Sequence, residues 1–375
     1  RAISGPAKEA IEAINASPAP VLAIDLPSGV NADTGAIMGL AIEAARTVTF
    51  HARKPAHLLF PGRALSGAVD VTDIGISDAA TAKVTPKTFE NHPALWGGAF
   101  PRPRWDGHKY ARGYVMALSG GPLNTGAARL AAEGALRIGA GLVTMLSPSE
   151  AAPVHATHLK AIMLRIADNA AHVQANLADA ERVRMCVIAG PANGVGEATR
   201  EKVRAALASK AGAVLDADAL TSFAETPEDL FTALRPDDVL TPHFGEFAKL
   251  FPEEAKTQGK LAAVRAASAK SGAVVVLKGA DTVIAAPDGR AVINSNAPPD
   301  LATAGSGDVL AGFVAGLKAQ GMDGFGASAA GVWFHGACAQ AIGPGLIAED
   351  LPGAVPAVLR QLLSPRESQQ EAEAP

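Results

Sequence analysis

The stretch Leu301 to Leu317, LATAGSGDVLAGFVAGL, places a single carboxylate, Asp308, between a glycine turn and an apolar run. Gly305, Ser306 and Gly307 are short residues, and the two glycines reach positive φ and let backbone N–H groups converge without Cβ obstruction. The continuation DVLAGFVAGLKAQG carries apolar residues at helical spacing and stops at Gly321, a fitting residue just past a helix end. A glycine turn that feeds a helix N-terminus suits an anion such as phosphate. Asp308 is then either a cap on its own helix or a base held beside an anion site. The two readings have to be weighed against the rest of the chain.

Other strand ends carry polar residues of the same kind. Lys278 to Thr282, KGADT, follows the apolar AVVVL and precedes a hairpin-like TVIAAPDGRAVI. A lysine, a glycine and a threonine there suit nucleotide phosphates, although a solvated turn explains them as well. His243 in TPHFGEF stands between a strand and a helix, where it either meets a ligand or satisfies local backbone. Asp216 and Asp218 in VLDADAL sit where a cap or a ligand contact is expected. AGPANGVG has glycines where backbone must approach something closely, yet it is not the dinucleotide fingerprint. No GxxxxGK[ST], HExxH, CxxC or GxSxG occurs, which argues against a P-loop, a zincin, a thiolate metal site and an α/β-hydrolase.

The elements that must hold these residues follow from periodicity. From Gly113 onward, GYVMALSGG, AGLVTML, MCVIAGP, AGAVLDADAL, DDVLTP and AVVVLKG read as short apolar strands separated by helical patterns such as TGAARLAAEGALRIG. That alternation predicts an α/β fold with a mostly parallel sheet covered on both faces. Ligands of such sheets bind outside the carboxyl ends of the strands, where the unusual residues cluster. Before it come a helix near Ala7 to Asn15, the apolar PVLAIDLPSGV, and the β-rich ARTVTFHA and GAVDVTDIGI. Ser77 to Arg104 is rich in proline and small residues without sustained periodicity and reads as a linker and domain entry. The last dozen residues, polar and charged, read as a disordered tail.

Composition bounds the rest. With 375 residues the chain has room for two domains, and its net charge of −4 argues against a general nucleic-acid binder. No apolar run approaches a membrane span. Cys186 and Cys338 lie in apolar runs and read as buried thiols of a reducing compartment. The opening RAISGPAKEAIEAIN, with no methionine or signal peptide, reads as a fragment whose true N-terminus is missing.

Gly305, Gly307 and Asp308 with the apolar helix after them resemble the signature of the ribokinase-like superfamily. Together, NAPPDLATAGSGDVLAG, LTPHFGEF, LKGADT, LDADAL and DGHKYARG are similar to the ADP/ATP-dependent NAD(P)H-hydrate dehydratases of that superfamily, over about Glu90 to Leu363. In the N-terminal part, APVLAIDLPSGVNADTG, VTFHARKPAHLLFPGR and VDVTDIGI resemble the second half of an NAD(P)H-hydrate epimerase domain. The resemblance implies a three-layer α/β/α dehydratase domain over residues 101–363 after a linker at 81–100. It also implies a partial, Rossmann-like epimerase domain over 1–80 and a tail over 364–375.

The same resemblance implies the chemistry and the site. The S form of hydrated NADH or NADPH would be returned to NAD(P)H by phosphorylation of its C6 hydroxyl and loss of phosphate. Asp308 would be the base, Gly305, Ser306 and Gly307 would donate to the phosphoryl group, and Lys278, Gly279, Ala280, Asp281 and Thr282 would bind ADP or ATP with Mg2+. Ala127, Gly194, His243 and Asp308 would contact the hydrated cofactor. In the epimerase part, Asp25, Arg1 and Ala2 would contact substrate and Ser28 would bind K+. With the epimerase's first half absent, epimerisation of the R and S hydrates is expected of the parent protein and not of this chain. A small-molecule kinase of the same superfamily, acting on a vitamin precursor or sugar, and a non-catalytic nucleotide-binding protein are the alternatives. The expected partner is the small-molecule substrate, with no nucleic acid and no membrane, in the cytoplasm. Homo-oligomer formation, the ADP or ATP preference and the NADH or NADPH preference stay open.

Overall fold

A computed structural model describes residues 2–363 of the chain. Cα packing divides it into two compact units, Arg1–Asn91 with Leu220–Ser295, and His92–Ala219 with Asn296–Pro375. The division does not follow the sequence ranges, because each unit is assembled from two distant stretches.

In the first unit, Leu22–Ile24, Arg46–Phe50 and Ala68–Thr72 form a three-stranded parallel sheet in that order. The helix Pro6–Asn15 starts with proline in its first turn, where a missing N–H costs nothing, and buries Ile11 against Ala23, Ile42 and Ala44. A second set of strands runs Thr88–Glu90, Ala291–Ile293, Val283–Ala285, Val274–Leu277 and Val239–Leu240. Val274–Leu277, Val283–Ala285 and Ala291–Ile293 pair antiparallel, as the hairpin reading of TVIAAPDGRAVI requires, and the two outer pairings are parallel.

The second unit holds five parallel strands in the order Gly212–Leu215, Met185–Ala189, Tyr114–Leu118, Leu142–Ser147 and Met163–Ile166. Tyr114–Leu118 and Met185–Ala189 are buried at every position, which explains why they read as unbroken apolar runs and not as alternating ones. The helix Ser306–Ala319 is buried from Val309 to Ala319 and lies beside the helix Gly126–Arg137. Its glycines set the spacing. A Cβ on Gly312 would lie 2.1 Å from the Ala131 carbonyl oxygen, and one on Gly316 would lie 2.4 Å from an Ile138 methyl. Without side chains there, the helices interdigitate at near-contact distance.

Residues 81–100, expected as a linker, are built into both units. Thr88–Glu90 is a strand paired with Ala291–Ile293, because Thr88 and Phe89 supply β-forming side chains to a strand edge. Trp96 is buried in the second unit with ring centroids 5.7 Å from both Phe100 and Trp333. Aromatic burial gives this proline-rich stretch a fixed place that its lack of periodicity concealed. No helix among the described residues is long and apolar enough to cross a membrane.

Candidate active site

In the second unit, Gly305 takes φ 84° and starts the 14-residue helix Ser306–Ala319 without a side-chain cap. A side chain at Gly305 would meet the Leu130 methyl at 2.7 Å and the Ala348 Cβ at 3.1 Å, so conformation and space both demand glycine. The Ser306 hydroxyl donates to the Thr303 carbonyl at 2.9 Å, which fixes the approach to the helix. Asp308 stands half-buried in the first turn. An uncapped start on a long buried helix concentrates partial positive charge from its leading N–H groups.

Ala127 comes to the same end of this unit. Leu130 lies at Gly305, Gly134 at Val309 and Ile138 at Gly316, so the two helices run parallel with their N-termini side by side. Gly194 lies in another loop of the unit at φ 84°, exposed, with open space where a Cβ would be. Its N–H donates to the Asp218 carboxylate at 2.8 Å. Asn193 ties the loop down, accepting the Gly190 N–H at 2.8 Å and donating to the Leu118 carbonyl at 3.0 Å. Ala192 carries φ 54°, a left-handed conformation that glycine takes at less cost. Of the two aspartates of VLDADAL, Asp218 thus holds the Gly194 loop, and Asp216 is buried at the end of its strand.

In the first unit, Lys278–Thr282 follows the strand Val274–Leu277 as a compact turn. The Thr282 hydroxyl donates to the Gly279 carbonyl at 2.9 Å and accepts the Gly279 N–H at 3.2 Å. The Lys278 N–H donates to the Pro242 carbonyl at 2.9 Å, which sets the turn beside His243 at the carboxyl end of two parallel strands. Gly279 and Ala280 are exposed and Asp281 is buried. His243 caps the helix Phe244–Leu250. Its Nδ1 accepts the Gly245 N–H at 2.9 Å and the Glu246 N–H at 3.3 Å, and the Glu246 carboxylate accepts the His243 N–H at 2.9 Å. The imidazole is 60% exposed, so it holds the strand end and also faces solvent.

Asp25 ends the strand Leu22–Ile24 at φ 66°, with its carboxylate taken by the Thr49 hydroxyl at 2.8 Å and by the Lys54 ammonium. The hydrogen bond from Lys54 holds the Asp25 carboxyl below the usual range. Beneath it, His57 is buried, with Nε2 2.8 Å from the Asp25 carbonyl and Nδ1 accepting the Lys54 N–H at 3.0 Å. Burial pushes the His57 pKa down. Sequence reasoning named Asp25 and missed Thr49, Lys54 and His57. The signal available was HARKPAH directly after a strand, three basic residue types at a strand's carboxyl end. Ser28 is exposed and its carbonyl accepts the Ile42 N–H at 2.9 Å. Ala2 is exposed, and Arg1 and residues 364–375 lie outside the described residues.

Among the described residues, no group of three or more His, Cys, Asp or Glu could hold a metal ion. The glycine turn at an uncapped helix fits the phosphates of a nucleotide.

The α/β fold, with its mostly parallel sheet covered by helices, is that of a ribokinase-like protein. The fold is shared with a ribokinase-like superfamily protein of Enterococcus faecalis, with TM-score 0.66 and 22% identity over 74% of this chain and 98% of that one. It is also similar to the Bacillus subtilis ADP/ATP-dependent NAD(P)H-hydrate dehydratase co-crystallised with ATP/Mg2+, with TM-score 0.62 and 26% identity over 73% of this chain and 98% of that one. The family model for NAD(P)H-hydrate dehydratase matches residues 115–350, and the model for the YjeF-related protein N-terminus matches residues 1–56.

Two relatives make the assignment specific. The chain is 35% identical to the bifunctional NAD(P)H-hydrate repair enzyme Nnr of Salinibacter ruber, over 94% of this chain and 68% of that protein. It is 38% identical to the enzyme of the same name from Moorella thermoacetica, over 94% of this chain and 69% of that protein. The chain belongs to the family of bifunctional NAD(P)H-hydrate repair enzymes.

Proposed function

We propose that this chain uses ADP or ATP, with Mg2+, to convert the S form of hydrated NADH or NADPH back to NAD(P)H. Asp308 takes the proton of the C6 hydroxyl as the terminal phosphoryl group passes to that oxygen. Gly305, Ser306 and Gly307 orient N–H donors at the phosphoryl oxygens. The ring nitrogen's lone pair then expels phosphate as the C6–O bond breaks, and loss of a proton from C5 restores the dihydropyridine. Lys278 to Thr282 bind the nucleotide, and Ala127, Gly194 and His243 contact the hydrated cofactor. In this scheme the protein mainly positions reactants and neutralises charge.

The observation that carries the reading is the uncapped, glycine-led start of the buried Ser306–Ala319 helix with Asp308 in its first turn. We assign residues 1–80 to a partial epimerase domain, its C-terminal half, where Asp25 and Ala2 would contact substrate and Ser28 would contribute a K+ ligand in the intact domain. We assign 101–363 to the dehydratase, and place the protein in the cytoplasm, where its cofactor substrates circulate. Its partners on this reading are small molecules. The test is turnover of hydrated NADH and NADPH with each nucleotide, following nicotinamide absorbance and inorganic phosphate together. Both should rise in equal amounts. Accumulation of a stable phosphorylated product with no absorbance recovery would make the protein a small-molecule kinase instead.

A further inference from the structure

The nucleotide turn is held by residues far away in the chain. Asp281 is 9% exposed, and both of its carboxylate oxygens are engaged. Oδ1 accepts the Lys260 ammonium at 2.7 Å, and Oδ2 accepts the backbone N–H of Phe60 at 2.9 Å. Lys260 also donates to the Asp281 carbonyl at 2.9 Å. One residue earlier in the turn, the Ala280 carbonyl accepts Arg63 Nη1 at 3.4 Å. The other arm of that guanidinium reaches the Ser295 carbonyl at 2.7 Å, and its carbon sits 5.4 Å from the centre of the Phe60 ring. Arg63 thus bridges the turn and the end of the Ala291–Ile293 strand with one planar fork.

We infer that Phe60 and Arg63, in the epimerase-like part of the chain, are positioning residues for the nucleotide turn Lys278–Thr282 of the dehydratase. The inference rests on reading that turn as the nucleotide site. An aspartate in a polyphosphate site would repel its ligand if its charge faced outward. Here the carboxylate is drawn inward, neutralised by Lys260 and oriented by the Phe60 N–H, while Gly279 and Ala280 remain exposed. A Cβ on Gly279 would lie 2.8 Å from the Lys260 ammonium, so the same lysine also packs the turn's glycine. Consecutive residues of the turn are therefore set by contacts from Phe60, Arg63 and Lys260. The consequence is that nucleotide affinity depends on the N-terminal part even though none of its residues needs to touch nucleotide.

The experiment measures nucleotide affinity by calorimetry and both Michaelis constants on the full chain, for Arg63→Ala and Lys278→Met beside the unaltered protein. Arg63→Ala should raise Kd and KM for ADP and ATP about 5- to 10-fold, the scale of one lost hydrogen bond to an ordered turn. KM for the hydrated cofactor should stay within about twofold, because only nucleotide binding is disturbed. A merely structural arginine would lower the thermal midpoint and leave the nucleotide constants alone. If Lys278→Met weakens nucleotide binding and Arg63→Ala does not, the positioning role is overturned while the turn keeps its assignment. If Lys278→Met also leaves nucleotide affinity unchanged, the assignment of the turn itself falls, and the inference with it. Should Arg63→Ala not fold, Arg63→Lys serves in its place: it keeps the charge but has no fork to span two carbonyls, so the same selective loss is expected.

Discussion

The turn at Gly305–Asp308 and the turn at Lys278–Thr282, both proposed for phosphate, are stabilised by opposite means. The first is made by its own neighbours: a glycine at φ 84°, a serine bonded three residues back and a long helix that begins at once. The second closes on itself through Thr282, and its aspartate is fixed by Lys260 and by Phe60, 221 positions away. A turn of the first kind is written in a few consecutive residues. One of the second kind exists only after the chain has closed over long distances. Two turns proposed for the same kind of ligand are thus built differently, and they should fail differently.

The largest expected effect is on the locally built turn. Asp308→Asn keeps the shape and a capping amide but removes the base, so kcat should fall by about 10²–10⁴ with nucleotide affinity and thermal midpoint retained. Turnover near that of the unaltered protein would reduce Asp308 to a cap, since asparagine caps about as well as aspartate. Gly305→Ala comes next. It adds a Cβ at φ 84°, against the Leu130 methyl, and should cost about 1–3 kcal/mol in denaturant unfolding together with most of the activity. Unchanged stability would show that the turn relaxes around a side chain and is not fixed by its glycine.

His243→Ala probes the strand end next to the second turn. Loss of its cap should cost about 1 kcal/mol of stability. If the exposed imidazole also meets substrate, KM for the hydrated cofactor should rise while nucleotide Kd holds. Equal losses for both ligands would leave His243 as a cap that steadies the neighbouring Lys278 turn.

The smallest effect concerns pH and the Asp25 cluster. His57 has its pKa pushed below the ordinary 6.5 by burial. The unfolded chain therefore binds the proton first as pH falls, and the stability His57 contributes above 6.5 is lost progressively below it. Asp25, with its carboxyl lowered chiefly by the Lys54 hydrogen bond, contributes stability above the ordinary 3.8 that is lost as pH falls through its lower folded value. Thermal midpoints from pH 8 to pH 5 should thus decline through His57 together with His155, whose pKa burial also pushes below 6.5, and His57→Gln should lessen that decline. An identical slope in the variant would place the acid sensitivity elsewhere.

Much of the candidate site was legible in linear text because its signals are local. Asp308, its glycines, the hairpin after Lys278 and the capping position of His243 each depend on residues within a few places of one another. The glycines of the Asp308 helix were visible too, but their purpose, letting Ala131 and Ile138 approach, was not. The stretch at 81–100 misled for a related reason. It has no period of its own, and its order comes from Ala291–Ile293 in one unit and from Trp333 and Phe334 in the other.

The fold class, the order of the strands and helices, and the identity of the residues at the carboxyl ends of the strands can all be read from the amino-acid order. Backbone preference, periodicity and helix starts are short-range physics, and a few residues suffice to express them. It takes the folded chain to show that the Asp281 carboxylate turns inward to Lys260 and Phe60, that Arg63 holds the Ala280 carbonyl, and that Thr49, Lys54 and His57 gather around Asp25. These are hydrogen bonds between groups separated by 21 to 221 positions or brought into place by strand pairing. Their partners are chosen by how the sheets close, because a buried carboxylate must be satisfied by whatever donors the fold delivers to it.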